Sequence, residues 1–532
     1  MVRPAVVPGS LRRPAAAPLC LWAALLLTAA LRPATAAGNP APPYGLLADS
    51  VGFLESGGAS RAHFGILAVS LDRGDTLLAS EPDHRFIPAS NMKLFTTGAF
   101  LRRFGPDARG VTRLTARGET HWKQGHTRVD LKGVLTLIGC GYPDVVQLLH
   151  PGSRGLLDSL ACLLRDSGLA KFEGKLLVDG TLFAREPFGP GWAIDDLPFS
   201  YGAAVNAILA NGNAATLVAT ATKGGVQLAL DPPETPLRVA GHVTLGDSSA
   251  APRLSVSREA GSSLLRVSGV VPRGGSAKRQ VAVPDPDSTA GLVLLGAMRR
   301  AGIEVRATVE IVAQSAAPDS APPVLGWARV DRKETSTVVV LETPSAAEVV
   351  AMVSAYSLNV ETEGLLRLLD PSPVGKTAAQ GLRHMAALLT DAGVDTLDLS
   401  LVDGSGLSPM NLATARSFVR WLTALGRDPA LGTLYHQTLA APGNVGTLQK
   451  RFAALDDGAD LRAKTGTLTN VSALSGYLST ADGERVVFSI LSNGNRGGVA
   501  AAHEVEERTV SLLSRFRRPP PEAARPIVGI PR

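Results

Sequence analysis

The sequence predicts an α/β protein: an antiparallel sheet packed against helices, interrupted by a large insertion that forms two further domains. Three observations carry this reading. Phe86–Gly105, FIPASNMKLFTTGAFLRRFG, is apolar around most of its circumference, as a helix at the centre of a core requires. Near the far end of the chain, Leu461–Leu468, Val471–Leu478 and Arg485–Ser492 read as strands separated by tight polar turns, which predicts an antiparallel sheet. Between these regions, from about Pro106, the texture changes to short strands separated by glycine.

The central helix opens near Pro88, where a missing N–H costs nothing in a first helical turn. Into this apolar rod the sequence places Ser90 and, one turn later, Lys93. Positions i and i+3 share a helix face, so hydroxyl and amine fall within hydrogen-bond reach. Burial lowers a lysine's pKa, and a neutral lysine accepts a serine proton. The pair therefore reads as a nucleophile with its own base. The plainer alternative has Ser90 capping the helix and Lys93 snorkelling to solvent.

Taken in order, Arg3, Arg12 and Arg13, the apolar run Leu19–Leu31 and Ala34-Thr35-Ala36 describe a secretory signal peptide over 1–36, cut after Ala36. No other stretch reaches a membrane span's length without charges, so a soluble, exported mature protein is expected, with no integral membrane span. Leu46–Leu54 reads as a short amphipathic helix, and His63–Ser70 with Thr76–Ser80 as a hairpin around Asp72-Arg73-Gly74-Asp75. Beyond the central helix, Val129–Ile138 and Gly174–Val178 are strands around a helical Gly155–Ser167. Leu182–Tyr201 is a long aromatic and Pro-rich loop, a kind often given to function. Residues 223–272 hold only short alternating strands, a small all-β module, and Ser288–Ala301 is a helix stopped by Gly302 and followed by strand Glu304–Val312. Ser315–Pro323 is a linker. Helices return at Ser345–Ser357, Lys376–Ala392 and Ala413–Leu425, with a Gly/Ser loop at Val402–Ser408 and a last helix at Ala500–Phe516. The expected division is 38–105 plus 328–518 for the catalytic domain, 106–222 plus 273–327 for an inserted domain, 223–272 for the module nested inside it, and 519–532 for an unstructured Arg/Pro tail.

At 532 residues the chain exceeds one ordinary core. Its net charge of +6 is modest, and the basic residues, only 11 of them lysine, are spread along the chain. That argues against a nucleic-acid partner. After cleavage two cysteines remain, Cys140 and Cys162, and the sequence leaves a bridge and two free thiols equally open. No His-rich or Cys-rich cluster argues for a metal, and no cofactor is expected.

Two further motifs join Ser90-x-x-Lys93. Ser357-Leu358-Asn359 sits where a helix gives way, and Lys464-Thr465-Gly466 lies on a strand, where glycine lets a ligand backbone approach. Each alone is as easily a set of surface residues. Together and in this order they resemble the signature set of active-site serine penicillin-binding proteins and β-lactamases. The 357 − 90 = 267 positions between the first two motifs accommodate a nested insertion. With LIGCGYP at 137–143, DDLPFSYGAAVNAILANGN at 195–213, DGSGLS at 403–408 and RAKTGTLTNVSALSGYL at 462–478, the chain resembles the class C low-mass penicillin-binding proteins, the serine D-Ala-D-Ala carboxypeptidase/endopeptidase family. The likeness spans roughly 40 to 515.

That resemblance implies a β-lactamase/transpeptidase-like catalytic domain and hydrolysis of peptidoglycan stem peptides in the periplasm, or at the cell envelope where there is no outer membrane. Ser90 would attack the carbonyl between two D-alanines, Lys93 would take its proton, and Ser357, held by Asn359 and Lys464, would relay a proton to the leaving amine. Lys464 and Thr465 would meet the substrate carboxylate, Gly466 would admit the substrate, and the N–H groups of Ser90 and Thr467 would form the oxyanion hole. Asp196 and Tyr201 match the family's positions for the stem peptide's diamino acid. Pro409 departs from an arginine that the family often carries after DGSGLS. β-Lactam antibiotics would be ligands and cell-wall machinery a partner. The competing readings are a β-lactamase or esterase on the same fold, which needs a further acid to activate water, and a binding module that has lost catalysis.

Overall fold

The computed structural model describes residues 61–518, apart from 124, 126, 315–326, 328, 329 and 497. The expected signal peptide, the Leu46–Leu54 helix, the Ser315–Pro323 linker and the 519–532 tail lie outside the described residues. In chain order the main elements begin with β1 (His63–Ser70), β2 (Thr76–Ser80), α1 (Met92–Phe104), β3 (Val111–Lys123), β4 (Arg128–Ile138), α2 (Leu156–Asp166) and β5 (Leu169–Asp179). They continue with β6 (Ala214–Thr222), β7 (Gly225–Asp231), β8 (Arg238–Gly246), β9 (Arg253–Ser257), β10 (Leu264–Pro272) and β11 (Ser276–Ala282). Then come α3 (Pro286–Arg300), β12 (Glu304–Ile311), β13 (Ser336–Glu342), α4 (Ala346–Tyr356), α5 (Asn359–Leu368) and α6 (Ala378–Asp391). The last are α7 (Ala415–Gly426), β14 (Arg462–Leu468), β15 (Val471–Ser479), β16 (Arg485–Asn493) and α8 (Ala500–Arg515).

The principal sheet has the antiparallel order β14-β15-β16-β1-β2, so the chain's first hairpin completes the sheet begun by its last three strands. β15 and β16 are buried on both faces except at the last residue of β15 and the two end residues of β16, and helices cover them. The core on one face is built on α1, whose residues Met92 to Leu101 are all buried. Phe95 stacks on Phe418 of α7 with ring centroids 4.4 Å apart. Trp421 Nε1 donates to the carbonyl of Leu94 at 2.9 Å. This contact needs Gly98, because a Cβ there would fall 2.7–2.9 Å from Leu425 and Trp421. α1 stops at Gly105, whose φ of +79° suits a residue without Cβ.

The insertion carries its own sheet, β12-β5-β4-β3-β13, with β12, β5 and β4 mutually parallel and β3 antiparallel to both its neighbours, β4 and β13. α2 and α3 pack over it. β13 belongs to this sheet, so the insertion runs to Glu342, beyond the expected 327. A Thr/Val-rich stretch just before a helix does not announce which sheet it joins. The small module is also wider than 223–272. β6 pairs with both β7 and β11, and one apolar cluster runs from Ala215 to Val283. Cys140 and Cys162 are both free thiols. No helix among the described residues is long and apolar enough to cross a membrane.

Candidate active site

Ser90 lies in a single 3₁₀ turn, Ala89–Asn91, that leads into α1, and Lys93 lies in the first turn of α1 itself. Lys93 is 1 % exposed. Its Nζ reaches Oγ of Ser90 at 3.0 Å, Oδ1 of Asn359 at 2.6 Å and the carbonyl of Ser405 at 2.7 Å. A neutral amine has two N–H bonds and one lone pair. It can donate to the two acceptors that have no proton to give, Asn359 Oδ1 and Ser405 O, and turn its lone pair to the Ser90 hydroxyl. Burial lowers the Lys93 pKa to about 7, against the opposing pull of Asp403, Glu363 and Glu361. Near neutral pH the amine is thus available as a base.

The second motif sits between two helices. α4 opens with a Ser345–Glu348 capping box and ends at Tyr356. Ser357 then takes the left-handed conformation, φ 59° and ψ 44°, which costs a non-glycine residue about 1–3 kcal/mol. This reversal turns the chain so that α5 starts at Asn359, and it presents Ser357 to the sheet. Lys464, fully buried on β14, donates from Nζ to Ser357 Oγ at 2.9 Å and to its neighbour Thr465's carbonyl at 2.7 Å. Burial and the nearby Lys93 charge both hold the Lys464 pKa below the ordinary lysine value. β14 is the edge strand of the principal sheet, so one of its ladder edges faces the helix start rather than another strand. Gly466 brings it close: a Cβ at this position would lie 2.8 Å from the Pro88 carbonyl and 3.1 Å from Ser90 N. Thr465 is half-buried beside it and Thr467 is exposed.

Ser90, Lys93, Ser357, Asn359 and Lys464 are therefore brought together by hydrogen bonds, with Thr465, Gly466 and Thr467 along one edge. Asp196 and Tyr201 also meet. Tyr201 Oη donates to Asp196 Oδ1 at 2.9 Å, and the Tyr201 carbonyl accepts from Asn359 Nδ2 at 2.9 Å. The loop thus touches the Ser90–Lys93 cluster through its backbone, while Tyr201 itself is 41 % exposed. Burial, and next the hydrogen bond to Asp196, push the Tyr201 hydroxyl up to about 12, so it stays a donor.

Sequence reasoning missed the residues that hold this cluster in place. Glu363, one turn after Asn359 on α5, accepts from the N–H groups of Gly404 and Ser405 at 2.9 and 2.8 Å and pairs with buried Arg367 at 3.2 Å. Asp403 accepts from Gly406 N at 2.8 Å, Ser408 N at 2.7 Å and Asn411 Nδ2 at 2.7 Å, folding the DGSGLS loop on itself. Asn91 Nδ2 donates to Ser475 Oγ at 2.7 Å and ties the helix start to β15. The available signal was Asn359, Glu363 and Arg367 at intervals of four, one face of a helix.

The chain is 28 % identical over 535 residues to the D-alanyl-D-alanine carboxypeptidase of Actinomadura sp. (strain R39), covering 95 % of this chain and 93 % of that one. With the D-alanyl-D-alanine carboxypeptidase DacB of Haemophilus influenzae it shares 24 % identity over 445 residues, 82 % of this chain and 86 % of that one. The crystal structure of penicillin binding protein 4 (dacB) from Haemophilus influenzae superposes with a TM-score of 0.70 at 22 % identity, covering 88 % of this chain and 99 % of that one, which shows a common fold. The model of the D-Ala-D-Ala carboxypeptidase 3 (S13) family matches residues 52–516. Because that match takes in all three motif sites and nearly everything that positions them, the chain belongs to the D-Ala-D-Ala carboxypeptidase 3 (S13) family.

Proposed function

We propose that this protein is a serine-type D-Ala-D-Ala carboxypeptidase that works through an acyl-enzyme on Ser90. The observation that carries the assignment is the buried Lys93 amine at 3.0 Å from Ser90 Oγ, its other two partners fixed by Asn359 and Ser405. Ser90 Oγ attacks the carbonyl carbon between the two D-alanines as its proton passes to Lys93. The N–H groups of Ser90 and Thr467 receive the negative charge on oxygen, and such donors are worth roughly 3–4 kcal/mol each. The C–N bond breaks, the leaving amine takes a proton relayed through Ser357, and D-alanine departs. Lys464 and Thr465 hold the substrate's terminal carboxylate. Water then cleaves the ester on Ser90, its proton passing back through the same base.

Family membership supports peptidoglycan stem peptides as substrate, and Asp196 with Tyr201 is the subsite for a free amine on the stem's diamino acid. β-Lactams act as acylating ligands, a reading supported by the Haemophilus influenzae relative solved with a novel β-lactam. Export by a signal peptide over 1–36 to the periplasm completes the proposal and fits the absence of a membrane-crossing helix among the described residues. Intact-mass analysis after penicillin treatment tests the mechanism. One adduct, mapped by peptide digestion to Ser90, is expected; an adduct elsewhere, or none on folded protein, overturns it. An adduct lost within seconds favours a β-lactamase.

A further inference from the structure

Behind Ser357–Asn359, between the start of α5 and helices α2 and α3 of the insertion, lies a cavity of about 690 Å³. This is a size that holds small ligands or a few residues of peptide. Its described lining carries four carboxylates and no Lys, Arg or His. Two of the four are already engaged: Asp144 accepts from Leu156 N at 2.7 Å, and Asp158 pairs with Arg300 at 3.2 Å. Glu361 differs. It is 6 % exposed, lines the cavity, and accepts no hydrogen bond from another residue among the described ones. Gly212 makes room for it, since a Cβ there would fall 2.7 Å from Glu361 Oε1. Thr289, another residue of the lining, has its hydroxyl buried without a partner. Glu361 thus has no partner beyond its own backbone N–H, and a buried carboxylate with lone pairs to spare is costly unless a ligand completes it.

We propose that this cavity, which Tyr201 also lines, holds a second position for a primary ammonium group of the peptide ligand, with Glu361 rather than Asp196 as its anionic partner. An ammonium supplies three donors and the charge the lining lacks, and the Glu361 carboxylate offers acceptors for them. Burial, the largest influence, pushes the Glu361 carboxyl up to about 7, with Asp144 adding to the rise and Lys93 opposing it. An incoming cation would favour the ionised form. The cavity shares Ser357 and Asn359 with the catalytic cluster, so a ligand seated there stays continuous with one at Ser90. The identity of the ligand as a peptide rests on the peptidase reading; the charge preference does not.

The test is calorimetric binding to the full-length chain. One probe is a lysine-containing peptide ending in a single D-alanine, which offers no D-Ala-D-Ala bond to cleave; the other is the same peptide with every amine acetylated. The wild type is expected to prefer the free-amine peptide. Glu361→Gln should reduce that preference about tenfold, Glu361→Asp should keep it within about threefold, and Asp196→Asn should retain the part that Glu361→Gln removes. A preference unchanged in Glu361→Gln, or lost in full by Asp196→Asn, overturns the subsite. If penicillin forms no adduct but the Glu361-dependent preference persists, the peptidase reading fails and the subsite stands; an adduct with no such preference removes the subsite alone.

Discussion

Ser405 is held by Glu363: its backbone N–H lies 2.8 Å from Glu363 Oε1, while its carbonyl accepts from Lys93 at 2.7 Å. One carboxylate on α5 therefore fixes a partner of Lys93 on α1. Removing it as Glu363→Ala would strand the buried Arg367 guanidinium and two loop N–H groups. We expect a loss of about 3–5 kcal/mol in folding stability, read as a lowered urea midpoint.

Lys93→Arg keeps the positive charge but removes the base, because a guanidinium stays protonated at any working pH. Penicillin acylation should fall by roughly a hundred- to ten-thousandfold, the range of general-base contributions. Stopped-flow acylation kinetics decide it; a near wild-type rate would leave Lys93 a structural role only.

The acylation rate should depend on pH with a definite sign. Lys93 acts as a base only when neutral, and its pKa is lowered to about 7, so the rate should climb as pH rises through 7. Lys464 is needed charged, and its pKa too is depressed, so a decline should follow at higher pH as it loses its proton. A second-order rate profile that does not rise between pH 5 and 8 would contradict the Lys93 assignment.

Gly466→Ala places a methyl group where only 2.8 Å separates it from the Pro88 carbonyl. β14 must then move away from Ser90 and take Lys464 and Thr465 with it. Small misplacements of this kind cost up to about a hundredfold, so we expect acylation to slow by tenfold or more with the melting temperature little changed.

Asp196→Asn should lower kcat/KM for a diamino-acid stem peptide roughly tenfold or more, about 1.4 kcal/mol. Penicillin acylation should stay within about twofold, since Asp196 meets the site only through the loop that bears Tyr201. Equal losses on both would assign Asp196 to the fold.

Much of this site is legible in the sequence because its parts obey local rules. Ser90 and Lys93 are one helical turn apart, and Gly466 follows Lys464 on an alternating strand, so spacing alone places them. The 461–468, 471–478 and 485–492 strands are framed by polar turns and were equally readable. What escapes is settled by tertiary contact. Helix α5 begins at Asn359 only because Ser357 turns left-handed, a choice no propensity dictates. Glu363 reads as an ordinary helix-surface acid until the 403–408 loop folds over it. Sheet membership of β13 depends on pairing with β3 more than two hundred residues earlier.

That pairing bears on how the chain assembles. It leaves the catalytic half at Gly105 and returns at Thr343, and the two ends lie side by side: Thr343 N donates to the Gly110 carbonyl at 3.0 Å and Ala346 N to Ala108 O at 2.8 Å. Closing a loop of 343 − 105 = 238 residues from an unfolded state would carry an entropy cost of about 5 kcal/mol in its length-dependent part. If the inserted sheet forms first, β3 against β13 brings the two catalytic halves to hairpin distance before α1 meets α4. The insertion then serves as a splint for the nucleus of the catalytic core, and mutations at the β3–β13 seam should slow refolding more than they speed unfolding.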